Sequence, residues 1–185
     1  MGITFCNFLS YGAYFSLFVV SPILLIHTAK MPPLHFGAVL FLGSAVAYVI
    51  AGMINTRLVV RLGTKAMLRF GWLMMILSGL AMWIVSFDGV NLFSVGIPMF
   101  FFFFGSTFIW PNTFTLAMNP FPHIAGYAGV TYRFMLLGGG AVLGAFVSYL
   151  PENTQEPLAW VMMICSALAW IVYEWVRPRV QENSK

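Results

Sequence analysis

The chain has 185 residues, of which 61% are hydrophobic and only 8% charged, with a formal net charge of +4. Soluble domains carry about 25% charged residues, so this composition excludes an ordinary globular protein, and the mean hydropathy of +0.89 agrees. The apolar runs are continuous and near the ~20 residues that cross a bilayer, without the alternation of a membrane β-barrel. An all-α membrane protein with the lipid bilayer as its surroundings is therefore expected. The basic excess forms no stripe interleaved with aromatics, so nucleic acid is not an expected partner.

In chain order, six transmembrane helices are predicted, at about 3–26, 36–56, 70–87, 91–116, 124–150 and 157–176. The first is bounded by Lys30-Met31-Pro32-Pro33, and a basic loop over 57–65 separates the second from the third. Phe87-Asp88-Gly89 ends the third. The fourth contains five consecutive phenylalanines at 100–104 and carries Pro98 and Pro111. Asn119-Pro120-Phe121-Pro122 leads into the fifth, and 151–157 into the sixth. No connection has room for a soluble domain, so 1–185 reads as one unit.

Orientation follows from Lys and Arg, which mark cytoplasmic loops. With six spans, Arg57, Arg61, Lys65, Arg69, Arg133, Arg177, Arg179 and Lys185 fall on one side and Lys30 on the other. Both termini are then expected in the cytoplasm, with the chain multi-pass in the cell inner membrane. Met1 is followed at once by an apolar run, with no secretory signal pattern.

Polar residues inside spans are costly without partners, so their grouping is informative. Asn7, Ser10, Tyr11 and Tyr14 share one face of the first span, and Ser44, Tyr48 and Asn55 one face of the second. The fourth offers Thr107, Asn112 and Thr113; the fifth offers Tyr127, Thr131 and Tyr132. The third and sixth offer little beyond Ser78 and Ser166. This suggests four helices lining a cavity and two facing lipid, with Asn7, Tyr11, Tyr14, Tyr48, Asn112, Thr113 and Tyr132 as candidate substrate contacts. The alternative is that these side chains only bond helix to helix.

Gly140, Gly144 and Ser148 form a small-residue stripe on the fifth span, and Gly43, Ala47 and Ala51 another on the second. Such stripes let helices approach closely. Pro111 should free a carbonyl, with Asn112 or Thr115 as its expected partner. Arg133, about two turns into the fifth span, either snorkels to the surface or meets an anionic group, supplied by a ligand or by a carboxylate of another chain or of a missing half. Cys6 and Cys165 lie in separate apolar runs and read as packing residues. Asp and Glu are absent from mid-span positions, and His27, His35 and His123 lie near helix ends. No metal-ligand spacing, phosphate loop or Ser/His/Asp pattern occurs, so neither an enzyme nor a cofactor is expected.

Several stretches resemble one family. Phe102-Phe103-Phe104-Gly105, Pro111, Met118-Asn119-Pro120-Phe121-Pro122 and Ala125-Gly126-Tyr127-Ala128-Gly129 look like the tenth and eleventh helices of the Bcr/CflA drug exporters of the major facilitator superfamily. Leu80-Ala81-Met82-Trp83-Ile84 and Tyr149-Leu150-Pro151 fit the same register, and Arg61-Leu62-Gly63 is similar to the family's second basic loop. The resemblance implies the C-terminal half of a twelve-helix drug/proton antiporter for hydrophobic or amphipathic compounds, paired with an N-terminal half; a six-helix homodimeric transporter is an alternative expectation. It also accounts for the abrupt start at Met1 and assigns the proton-linked carboxylates to the other half. Arg133 departs from the small or uncharged residue that the resemblance implies there. A remnant without transport activity, or a membrane scaffold, is the competing expectation.

Overall fold

A computed structural model describes residues 2–28, 30–89, 91–119, 122–150 and 154–182. The parts of the expected turns at 120–121 and 151–153, and the side chains of Arg177 and Arg179, lie outside the described residues. Among the described residues all regular structure is helical: α1 (Gly2–Pro22), α2 (Pro33–Val85), α3 (Leu92–Met118), α4 (Ala125–Val147) and α5 (Glu156–Glu182). All five are long and apolar enough to cross a membrane.

Pro22 has no N–H to give, and the chain beyond it winds as a π-helix over Ile23–Thr28. Lys30 takes a left-handed φ of 52°, and the Met31 N–H closes the turn on the Leu25 carbonyl at 3.0 Å. Pro32 and Pro33 then open α2, where a missing N–H costs nothing.

The expected loop at 57–65 is not a loop. The helix continues through Arg57 and Arg61 and is interrupted at Gly63, with φ 78° and ψ 159°. Arg and Lys are good helix formers, so a basic stretch does not end a helix; the glycine does. The contacts of α3 reveal what the interruption accomplishes. Before Gly63, Tyr48 meets Phe103 and Trp110, and Asn55 meets Asn112, so contacts climb α3. After it, Phe70 meets Phe108, Gly71 meets Gly105 and Ser78 donates to the Pro98 carbonyl, so contacts descend. The two parts of α2 therefore run in opposite directions along α3.

Packing is glycine-mediated. A Cβ on Gly71 would lie 2.9 Å from the Gly105 carbonyl oxygen, and one on Gly105 would lie 2.9 Å from that of Gly71. On α4, Gly140 and Gly144 receive Tyr11, Phe15 and Val19 of α1, as the stripe foretells, and Gly139 rests on the Phe8 backbone. Ala47 and Ala51 are buried, whereas Gly43 borders open space. The core holds Leu17, Trp72, Met75, Phe102 and Phe103 together with Cys6 and Cys165.

Polar groups bind the helix ends. Gln155, buried at the start of α5, donates to the Met82 carbonyl at 3.3 Å and accepts from Ser94, whose hydroxyl also takes the Asn91 N–H at 2.7 Å. Arg69 grips Glu174 with two bonds of 2.5 and 2.9 Å, joining α2 to α5. Inside the helices, Ser16, Ser106, Thr107 and Thr131 donate to carbonyls three or four residues back in their own helix.

Candidate functional site

A cavity of about 400 Å³ opens between α1, α3 and α4. From α1 come Asn7, Tyr11 and Tyr14, at the i, i+4, i+7 spacing that places three side chains on one helix face. From α3 come Trp110 and Phe114, one turn apart, and from α4 Tyr132 and Arg133. Trp110 is the centre of an aromatic wall. Its ring lies 4.7 Å from Tyr14, edge-on at 82°, 5.8 Å from Tyr11 and 5.9 Å from Tyr48. Phe114 meets Tyr132 edge-on at 5.3 Å.

A hydrogen-bond chain crosses the floor. Asn7 Nδ2 donates to the Tyr132 hydroxyl, which lies 3.2 Å from Thr113 Oγ1. Thr113 in turn donates to the Ile109 carbonyl at 2.8 Å. That direction leaves Tyr132 to donate to Thr113 and to accept from Asn7, so Asn7 Oδ1 is left over. Asn7 Oδ1 and Trp110 Nε1 are buried without partners among the described residues. A buried polar atom left unpaired costs roughly 1–3 kcal/mol, so these two atoms are the least satisfied part of the wall.

Of the residues expected at a site, Asn7, Tyr11, Tyr14 and Tyr132 line this cavity and Thr113 holds Tyr132 from behind. Tyr48 stands one layer back, behind the Trp110 ring, with its hydroxyl buried beside those of Tyr14 and Ser106. Asn112 faces elsewhere: its Nδ2 donates to Asn55 Oδ1 at 2.9 Å and to the Phe108 carbonyl at 2.7 Å. Neither Asn112 nor Thr115 reaches the Thr107 carbonyl that Pro111 leaves open; Thr115 bonds the Pro111 carbonyl instead. Ser10 also leaves the expected face, because residues 10 and 11 point 100° apart on a helix, and accepts the Trp72 indole N–H at 3.0 Å. Three helices, not four, thus line the cavity, since Trp110 fills the space before Tyr48. Trp110 escaped the sequence reading because indole rings read as core or interface; its place beside Pro111-Asn112, in a polar-striped span, was the available signal.

The Asn55–Asn112 pair joins α2 to α3 in apolar surroundings. Double-mutant cycles on interhelical bonds in membranes average about 0.6 kcal/mol and reach about 1.7. Asn55→Leu and Asn112→Leu, alone and together, should give a coupling in that range when unfolding is followed by tryptophan fluorescence against added SDS.

A chain whose described residues include five helices able to cross a bilayer is a multi-pass membrane protein. It is similar to the bicyclomycin resistance protein homolog of Haemophilus influenzae, 24% identical over 179 residues, which are 97% of this chain and 45% of that protein. It is also similar to multidrug resistance protein D of Escherichia coli, 35% identical over 102 residues, 55% of this chain and 25% of that protein. These homologues are of the drug-resistance group of the major facilitator superfamily. The chain spans less than half the length of these curated relatives. No family model matches it.

Proposed function

We propose that this chain is one half of a drug-exporting major facilitator transporter: six spans that wall one side of a cavity for hydrophobic and amphipathic compounds and rock against a second half. The cavity between α1, α3 and α4, faced with tyrosine and tryptophan in a chain whose relatives are named for drug resistance, carries this reading. Aromatic walls suit loosely specified ligands, because they give large contact area with few fixed hydrogen bonds.

The six-span count is supported by the reversal at Gly63. An unbroken helix of 53 residues would be about 80 Å long at 1.5 Å per residue, far beyond a hydrocarbon core of about 30 Å. Six spans place both termini on the side of Gly63. Arg57 and Arg61 are exposed there and Lys65 half-buried, which makes that the cytoplasmic side of the inner membrane. In drug/proton antiport this half provides cavity wall, and the opposing half provides the titrating carboxylates. Its own Glu156 and Glu174 stand near the ends of the span Glu156–Val176.

Efflux from cells depleted of other exporters tests this. Neutral, cationic and anionic lipophilic dyes are followed in cells making this chain alone, or with a six-span N-terminal half of a relative. Accelerated efflux of at least one dye only with both halves present is the expected result. Efflux by the chain alone, with crosslinked dimers, would replace the second half by a second copy. No effect on any dye in either case would leave a remnant or scaffold and end the transport reading.

A further inference from the structure

We infer that the cavity between α1, α3 and α4 takes an amphipathic anion, with its ring system against Tyr11, Tyr14 and Trp110 and its carboxylate, sulfonate or phosphate on the Arg133 guanidinium. This rests on the reading above and narrows its substrate class.

Charge is the first ground. Among the residues lining the cavity, Arg133 alone carries a formal charge, and no Asp or Glu is there to receive a cation. Arg133 is exposed and makes no ion pair among the described residues; the salt bridge there is Arg69–Glu174. It sits seven residues inside the span that begins at Gly126, or roughly 10 Å at 1.5 Å per residue. A guanidinium at that depth needs water or an anion, and its planar donors fit carboxylate or phosphate oxygens with two parallel bonds.

Access is the second. Arg133 also borders a shallower depression of about 610 Å³ with Gly126, Gly129, Val130 and Phe134. One side chain therefore stands at the boundary of an open approach and the aromatic cavity.

The third is the pair of unpartnered atoms. Asn7 is 1% exposed and lines the cavity, and its Oδ1 has no donor; Trp110 Nε1 has no acceptor. Both atoms are themselves buried, so a ligand with a donor and an acceptor on its ring system reaches them only if the Asn7 amide and the Trp110 indole turn toward the cavity. A lipophilic cation could use the ring faces, but it would face Arg133 with no counter-charge in the lining.

The test uses the full chain in nanodiscs of neutral phosphatidylcholine. The probes are 8-anilinonaphthalene-1-sulfonate and a naphthalene bearing a quaternary ammonium, followed by energy transfer from tryptophan. The anion should bind at least ten-fold tighter than the cation. Arg133→Gln should weaken the anion at least ten-fold and leave the cation unchanged, Arg133→Lys should retain the preference, and Tyr11→Ala should weaken both probes. Equal affinities in the unaltered chain, a preference that survives Arg133→Gln, or anion binding indifferent to Tyr11→Ala (bilayer partition only) would each overturn the inference. So would binding of the anion that disappears when the opposing half is added, which would make Arg133 the partner of a carboxylate from that half. Arg133-dependent binding without any dye efflux would remove the transport reading and leave the anion site standing. Export of cationic dyes alone, unchanged by Arg133→Gln, would do the reverse.

Discussion

Gly139→Leu is expected to separate α1 from α4 and cost about 3 kcal/mol, the upper part of the range for overpacking a close contact. A side chain on Gly139 would run into the Phe8 carbonyl oxygen and carbon, which are backbone and cannot swing aside. The loss would reach the cavity, because α4 rests chiefly on α1 and the Asn7–Tyr132 bond crosses that seam. The neighbouring Gly138 is the control: a Cβ there meets only the edge of the Phe8 ring at 3.9 Å, so Gly138→Ala should change stability by less than about 1 kcal/mol. Unfolding of detergent-solubilised protein against SDS, read by tryptophan fluorescence, measures both.

Gly63→Ala is the second large effect. Its φ of 78° with ψ of 159° belongs to a region that side chains essentially never occupy. Open space surrounds the position, so the cost of about 1–3 kcal/mol is conformational and not steric crowding by neighbours. The strain can be relieved by making the backbone helical, which would straighten α2 and pull its two parts off α3. Gly52 is also in α2 with open space around it but has ordinary helical geometry, so Gly52→Ala should be neutral or stabilise by up to about 1 kcal/mol. Cysteines placed at Asn55 and Asn112 should crosslink readily in the parent chain and poorly with Gly63→Ala, and equal crosslinking would argue that the reversal survives without the glycine.

Much of this architecture is legible in the chain, for reasons that also explain what is not. Apolar length locates the helices, because water and lipid act on every residue of a span, whereas the basic stretch at 57–65 misplaces a boundary that Gly63 sets. The period of a helix brings Asn7, Tyr11 and Tyr14 to one face, and all three line the cavity. The same period mispredicts Ser10, whose position at the flank of the stripe lets Trp72 take it. Asn112 depends on what lies opposite, and Asn55, fifty-seven residues away, decides it. Gln155 looks like a loop residue until it is seen to bind Met82 and Ser94. Gly71 and Gly105 carry no repeat on their own helices; each is small because the other is. Such features belong to pairs, and a single chain read by period reveals one member at a time.

The hydroxyls bonded within their own helices give this chain an unusual tolerance profile. Ser10, Ser16, Ser106, Thr107, Thr113 and Thr115 each return a bond to a carbonyl of the turn behind them. Such bonds compete with the backbone ladder more than they add to adhesion. In a comprehensive substitution scan, alanine at Ser16 or Thr107 would pass almost unnoticed, whereas one added methyl at Gly71, Gly105 or Gly139 would be selected against. The fitness map there would be the inverse of polarity: the close-packed glycines constrained, and the hydroxyls bonded only within their own helices largely free to vary.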